Sequence, residues 1–148
     1  MSGIKHIMAI DHRRCDELLA ASEEAVSKGE WAAGLAKFDA FQKAMLQHLA
    51  MEEEVLFPDF ERQAMHAGGP VQVMRMEHTQ MRRLMSDMSA AMTDKDQANF
   101  LGLSETMLML MQQHNMKEEQ MLYPMAEQAF GDRAAEVLER MLAVSVDD

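Results

Sequence analysis

Apolar residues recur along this chain at the three- and four-residue spacing of amphipathic helices. One stripe runs from Trp31 through Leu35, Phe38, Phe41 and Met45, and continues through His48 and Glu52 to Val55. A second runs from Met107 through Met111, His114 and Glu118 to Met121, and Met81, Met85, Met88 and Met92 form a third. Breakers divide these stripes at Gly29, Ala67-Gly68-Gly69-Pro70, Thr93-Asp94 and Gly131. The pattern predicts a lead-in over 1–9, then a helix capped by Asp11 over about 12–28. A second helix starts near Glu30 and is kinked or broken by Pro58, with a short continuation to about 65. A third runs from Pro70 in its first turn to about 92, after the Thr93-Asp94 turn and cap a fourth from about 95 to 122, and a last one, capped by Asp132, to about 144. The expected fold class is all-α.

The ionisable members of these stripes come in matched pairs. Gln47-His48 and Glu52-Glu53, followed by Leu56-Phe57-Pro58, return 66 residues later as Gln113-His114 and Glu118-Glu119, followed by Leu122-Tyr123-Pro124. The same offset carries His12 onto His78, Asp11 onto Glu77, Met8 onto Met74 and Leu18 onto Leu84. A single domain over 1–148 is expected, internally duplicated, with repeat halves of about 5–67 and 71–133.

Rise per residue decides whether the four histidines meet. His12 lies 17 residues before Gly29, and His48 lies 18 after Glu30. At about 1.5 Å per residue both stand at one level of an antiparallel hairpin. His78 and His114 come level in the second half, and two stacked hairpins make an antiparallel up-down four-helix bundle with a short C-terminal helix. His48 with Glu52, and His114 with Glu118, are four apart and share a helix face. Ionisable groups on apolar stripes are costly unless paired, so His12, His48, Glu52, His78, His114 and Glu118 are read as metal ligands. Asp11 and Glu77 either orient neighbouring imidazoles or serve as helix-start carboxylates. Glu53, Glu54 and Glu119 are expected to turn away onto a solvated stripe.

Composition narrows the functional classes. A net charge of −11 argues against nucleic acid and against anionic membrane surfaces. No apolar run is long enough for a membrane span, and no signal peptide is evident. The single cysteine, Cys15, excludes an internal disulfide and suits a cytoplasmic location. Cys15 is expected as a buried thiol, His6 and His66 as solvent-facing, and Tyr123, the counterpart of Phe57, as a packing residue. The 18 methionines are read as core filler rather than a copper site.

Four imidazoles and two carboxylates exceed what one tetrahedral zinc takes. They suit two first-row metals bridged by Glu52 and Glu118, with iron first, and manganese or a mixed pair as alternatives. Ferritin-like di-iron bundles use Glu-x-x-His, whereas the order here is His-x-x-x-Glu, with Asp16 and Arg82 four residues after His12 and His78. On His12, His48-x-x-x-Glu52, Glu77-His78 and His114-x-x-x-Glu118, the chain resembles the hemerythrin-like proteins of the HHE cation-binding group over about residues 5–130. That resemblance implies a left-handed four-helix bundle around a non-haem di-iron centre, two iron ions joined by an oxo or hydroxo bridge. It differs from the oxygen-carrying members, which have a histidine where Arg82 stands and a terminal Asp five residues after a His. The leading expectation is binding or sensing of oxygen or nitric oxide. The alternatives are a di-iron enzyme consuming peroxide, and iron storage, delivery or iron-centre repair. Expected partners are these small molecules, a protein partner if the chain is a sensor, and at most a weak homodimer.

Overall fold

The computed structural model describes residues 3–146, all of whose regular elements are helical. Four long helices dominate: α1 (Ile4–Ser27), α2 (Trp31–Met51), α4 (Gly68–Thr93) and α5 (Gln97–Lys117). Alpha1 packs along α2 and α5, and α4 packs along α5 and α2, so each long helix touches two others. Helix α2 runs on through a π-helical turn (Glu52–Leu56) into α3 (Phe57–Gln63), and α5 does the same through Glu118–Leu122 into α6 (Tyr123–Phe130). A 3-10 turn (Gly131–Arg133) leads to α7 (Ala134–Leu142). None of the described helices is long and apolar enough to cross a membrane.

The helix starts differ from the expected ones at α1, α5 and α7. Alpha1 begins at Ile4, so 3–9 are not a lead-in, and residues 1–2 lie outside the described part. Its buried face, Ile4, Met8, His12, Cys15 and Leu19, holds helical spacing from the first turn, and Asp11 is therefore an interior residue rather than a cap. Before α5 the cap is Asp96, whose side chain accepts the Asn99 N–H at 3.2 Å; Thr93 closes α4. Lys95, at φ +52°, makes the left-handed turn between them. Asp96→Ala should lower stability by about 1 kcal/mol, read as a lower midpoint in a urea melt with an unchanged slope. Gly29 (φ +72°) and Gly131 (φ +56°) end α1 and α6 as expected. Asp132 falls inside the 3-10 turn and caps nothing with its side chain.

Pro58 and Pro124 do not break their helices. Each sits at the first turn of the continuation, and the missing N–H is absorbed by the π turn before it. The Phe57 N–H reaches back five residues to the Glu52 carbonyl, and the Tyr123 N–H reaches the Glu118 carbonyl likewise. The wider turn shifts the inner face by one residue. Leu56 and Leu122 are buried, whereas Val55 is only partly buried and Met121 is exposed. In α2 the inner position is Gly34 rather than the exposed Leu35.

Two apolar clusters fill the interior. One joins Leu19, Phe38, Phe41, Met85, Phe100 and Met107, with Phe38 edge-on to Phe100 at 5.5 Å between ring centroids. The other joins Ile4, Met8, Phe57, Phe60, Met74, Tyr123 and Val137. The methionines expected in the core (Met81, Met85, Met88, Met92, Met107 and Met111) are all buried. Along α1 and α4 the sequence passes from one cluster to the other at a histidine: Met8 and Cys15 flank His12, and Met74 and Met81 flank His78. The ionisable residues thus form a polar layer between two apolar ones.

Candidate metal centre

His12 projects from α1, His48 from α2, His78 from α4 and His114 from α5, and all four are buried. Glu52 and Glu118, first residues of the two π turns, are fully buried beside them. All six candidate ligands named from the sequence are brought to one layer. Donor atoms of Glu52, His78, His114 and Glu118 lie within 4.8 Å of one another, and so do those of His12, His48 and Glu118.

Each imidazole is oriented by its own carboxylate. Nδ1 of His48 meets Asp11 of α1, Nδ1 of His114 meets Glu77 of α4, Nδ1 of His78 meets Glu53 of the first π turn, and Nδ1 of His12 meets Glu119 of the second, each at 2.7 Å. These bonds close a ring, α1 to α2 to α4 to α5 and back to α1. Asp11 and Glu77 are therefore orienting carboxylates. Glu53 and Glu119 are not a solvated stripe, although Glu54 is exposed as expected. The signal for them was present, because both follow a candidate ligand directly and match at the 66-residue offset. An ideal wheel turns them away, but they serve the histidine of the adjacent helix rather than their own.

With Nδ1 anchored outward on an acid, the Nε2 atoms face inward. His12 Nε2 lies 3.0 Å from Glu118 Oε1, His78 Nε2 3.0 Å from Glu52 Oε1, and His114 Nε2 3.2 Å from Glu118 Oε2. His48 Nε2 stands 3.8 Å from Glu52 and 3.9 Å from Glu118. Nε2 of His48, His78 and His114, with Glu52 Oε1 and Glu118 Oε2, are buried and make no hydrogen bond of acceptable geometry. Five buried polar atoms converging without a well-formed hydrogen bond are costly unless protons or a cation bridge them. They fit a cation, and imidazole nitrogen with carboxylate oxygen is a donor set for first-row transition metals.

The metal-free protein balances these charges with protons. Burial by itself would depress His48 and His114, but the Glu52 and Glu118 carboxylates and the Asp11 and Glu77 hydrogen bonds prevail, raising both to about 10. Burial and the neighbouring Glu118 charge raise Glu52, while Glu118 is held well below the usual carboxylate range, against burial, chiefly by His114. Burial would also raise Glu53, yet bonds from His78 and Arg82 draw it down to about 2.

Three orienting carboxylates carry a second, cationic partner. Arg14 pairs with Asp11 at 2.9 Å, Arg82 grips Glu53 at 2.7 and 2.9 Å, and Lys117 pairs with Glu77. Glu119 forms no such ion pair with a Lys or Arg among the described residues; Asp16 lies near it, and a surface cleft lined by His12, Arg13, Asp16, Asn115 and Glu119 opens there. Glu53→Gln should weaken metal binding about tenfold to a hundredfold, since the orienting anion is lost. A competition titration against a coloured chelator reads that change.

Tyr123 departs from its expected role. Its fully buried hydroxyl lies inside the layer, 2.6 Å from Glu52 Oε2, 2.8 Å from Glu118 Oε1 and 3.2 Å from His12 Nε2. The π turn carries it there, because residue i+5 then stands over residue i. Cys15 is a buried thiol, raised by burial to about 12 and correspondingly inert. His6 and His66 are exposed.

Fold and layer together define a helical protein with a buried histidine–carboxylate centre able to hold metal. The family profile for the Hemerythrin HHE cation binding domain matches residues 4–126, and the chain belongs to that family. Searches among curated proteins and among solved structures found no match.

Proposed function

We propose that the chain holds two iron ions on His12, His48, His78, His114, Glu52 and Glu118, and binds a small ligand there, oxygen or nitric oxide. The observation that carries this is the inward convergence of four Nε2 atoms and two carboxylates, while every Nδ1 is anchored outward on an acid. Two overlapping donor groups that share Glu118 support two positions rather than one. Iron held there supplies a redox-active Lewis acid for small oxygen- or nitrogen-containing ligands. The residues fix the imidazole tautomers and exclude bulk water through the apolar clusters on both sides. The cleft beside His12 and Glu119 gives small molecules a way in.

The same reading takes residues 1–148 as one domain of two duplicated halves, about 5–67 and 71–133, folded as antiparallel hairpins. Its support is that residues 66 apart make equivalent contacts: Asp11–His48 with Glu77–His114, and Glu119–His12 with Glu53–His78. The test is to load the purified chain anaerobically with ferrous iron, count metal per chain, and follow the visible spectrum with oxygen, nitric oxide and hydrogen peroxide. A reversible oxygen or nitric oxide adduct is expected. Gas evolution from peroxide that disappears in His114→Ala would instead make the protein a peroxide-consuming enzyme. Iron taken up with no ligand response would make it a store or carrier. Less than one metal per folded chain would sink the metal reading.

A further inference from the structure

The two metal positions are unequally furnished. Glu52, His78, His114 and Glu118 gather four donors at one, whereas His12, His48 and Glu118 gather three at the other. The residue that breaks the likeness of the halves at this depth is Tyr123, whose counterpart 66 residues earlier is Phe57. Both rings lie against a histidine of the centre, Phe57 at 5.4 Å from His78 and Tyr123 at 5.8 Å from His12, between centroids. Only Tyr123 ends in oxygen. That oxygen lies 3.2 Å from His12 Nε2 and 2.8 Å from Glu118 Oε1, two donors of the poorer group. It has one hydrogen to give, while three acceptor atoms stand within 3.2 Å of it. The hydroxyl sits among the candidate ligand atoms.

We infer that Tyr123 Oη is itself a metal ligand, the fourth donor of the His12–His48–Glu118 position. This rests on the metal reading proposed above. On binding, the O–H bond breaks, the proton leaves to solvent and an oxygen–metal bond forms, with no electron transferred. The positions then differ in kind: two imidazoles and two carboxylates at one, two imidazoles, one carboxylate and a phenolate at the other. A phenolate is a hard anionic donor, so the second position favours the ferric state and divides the redox work unequally.

Tyr123 is the only tyrosine in the chain, which makes the test specific. The full chain is loaded with ferrous iron, oxidised, and examined by visible absorption and resonance Raman spectroscopy, with ordinary and with ring-deuterated tyrosine. The expected result is a phenolate-to-ferric charge-transfer band whose enhanced ring modes shift with the label, and whose loss in Tyr123→Phe leaves iron at the His78–His114 position. Ferric protein that holds its metal but shows no label-sensitive ring modes overturns the inference and leaves the metal centre standing. A folded chain that takes up no iron overturns both. Should Tyr123→Phe fail to fold by circular dichroism, the labelled wild-type spectrum alone decides.

Discussion

Glu118→Gln is expected to abolish metal binding at both proposed positions, whereas Glu52→Gln should spare one. Glu118 is the only residue common to the two donor groups; Oε1 faces His12 and Oε2 faces His114. Glutamine keeps the volume but removes the negative charge and aims amide hydrogens at nitrogen lone pairs. Glu52 belongs to the His78–His114 group alone, so its loss leaves His12, His48 and Glu118 in place. Metal analysis after loading and desalting separates the two variants. The metal-free Glu118→Gln protein should also be less stable, by about 3 kcal/mol, because a buried ion network loses one partner. Equal metal content in Glu118→Gln and wild type would refute the shared-ligand geometry, and so would a Glu52→Gln protein as empty as Glu118→Gln.

The candidate ligand histidines were legible because two regularities coincide on them. The 66-residue offset pairs His12 with His78 and His48 with His114, and helical rise brings them level. Turn residues located the helix ends before Gly29 and at Gly131 through a backbone conformation that glycine tolerates. What the pattern hid follows from departures from the ideal α-helix. A wheel at 3.6 residues per turn cannot show that Pro58 and Pro124 are absorbed by π turns, which hide Met121 from the inner face and present Leu122 and Tyr123 to it. The true start of α1 was in reach, since Ile4 and Met8 continue the spacing of His12 backwards; a polar Asp11 obscured it by looking like a cap. Glu53 and Glu119 were marked by the repeat, but their role needed the tertiary arrangement, because the imidazole each one holds belongs to another helix. Tyr123 matches Phe57 in packing, and only the folded chain reveals where its hydroxyl ends.

Metal loading should raise the unfolding temperature by on the order of ten degrees, with a gain that widens as pH rises. A free ion at a thousand times its dissociation constant stabilises by about 4 kcal/mol, and each kcal/mol is worth about 2–4 °C in a chain of this size. Protons compete for the same nitrogens. His48 and His114, raised to about 10 in the metal-free fold, carry protons at neutral pH that a metal must displace. Affinity should therefore rise with pH, about tenfold per unit for each proton released. The metal-free protein moves the other way. A histidine raised from 6.5 contributes stability that is complete below the unfolded value and is lost as pH climbs through about 10. At the acid end Glu53, lowered from 4.5 to about 2, contributes stability that is present above the unfolded value and lost as pH falls through the folded one. Thermal melts of chelator-treated and manganese(II)-loaded protein, compared at about pH 6 and about pH 8.5, read both slopes. The loaded and unloaded midpoints should be closest in acid and diverge towards alkali. Midpoints that converge as pH rises would mean that protons and metal do not share His48 and His114, and the layer would then be a proton-balanced polar core.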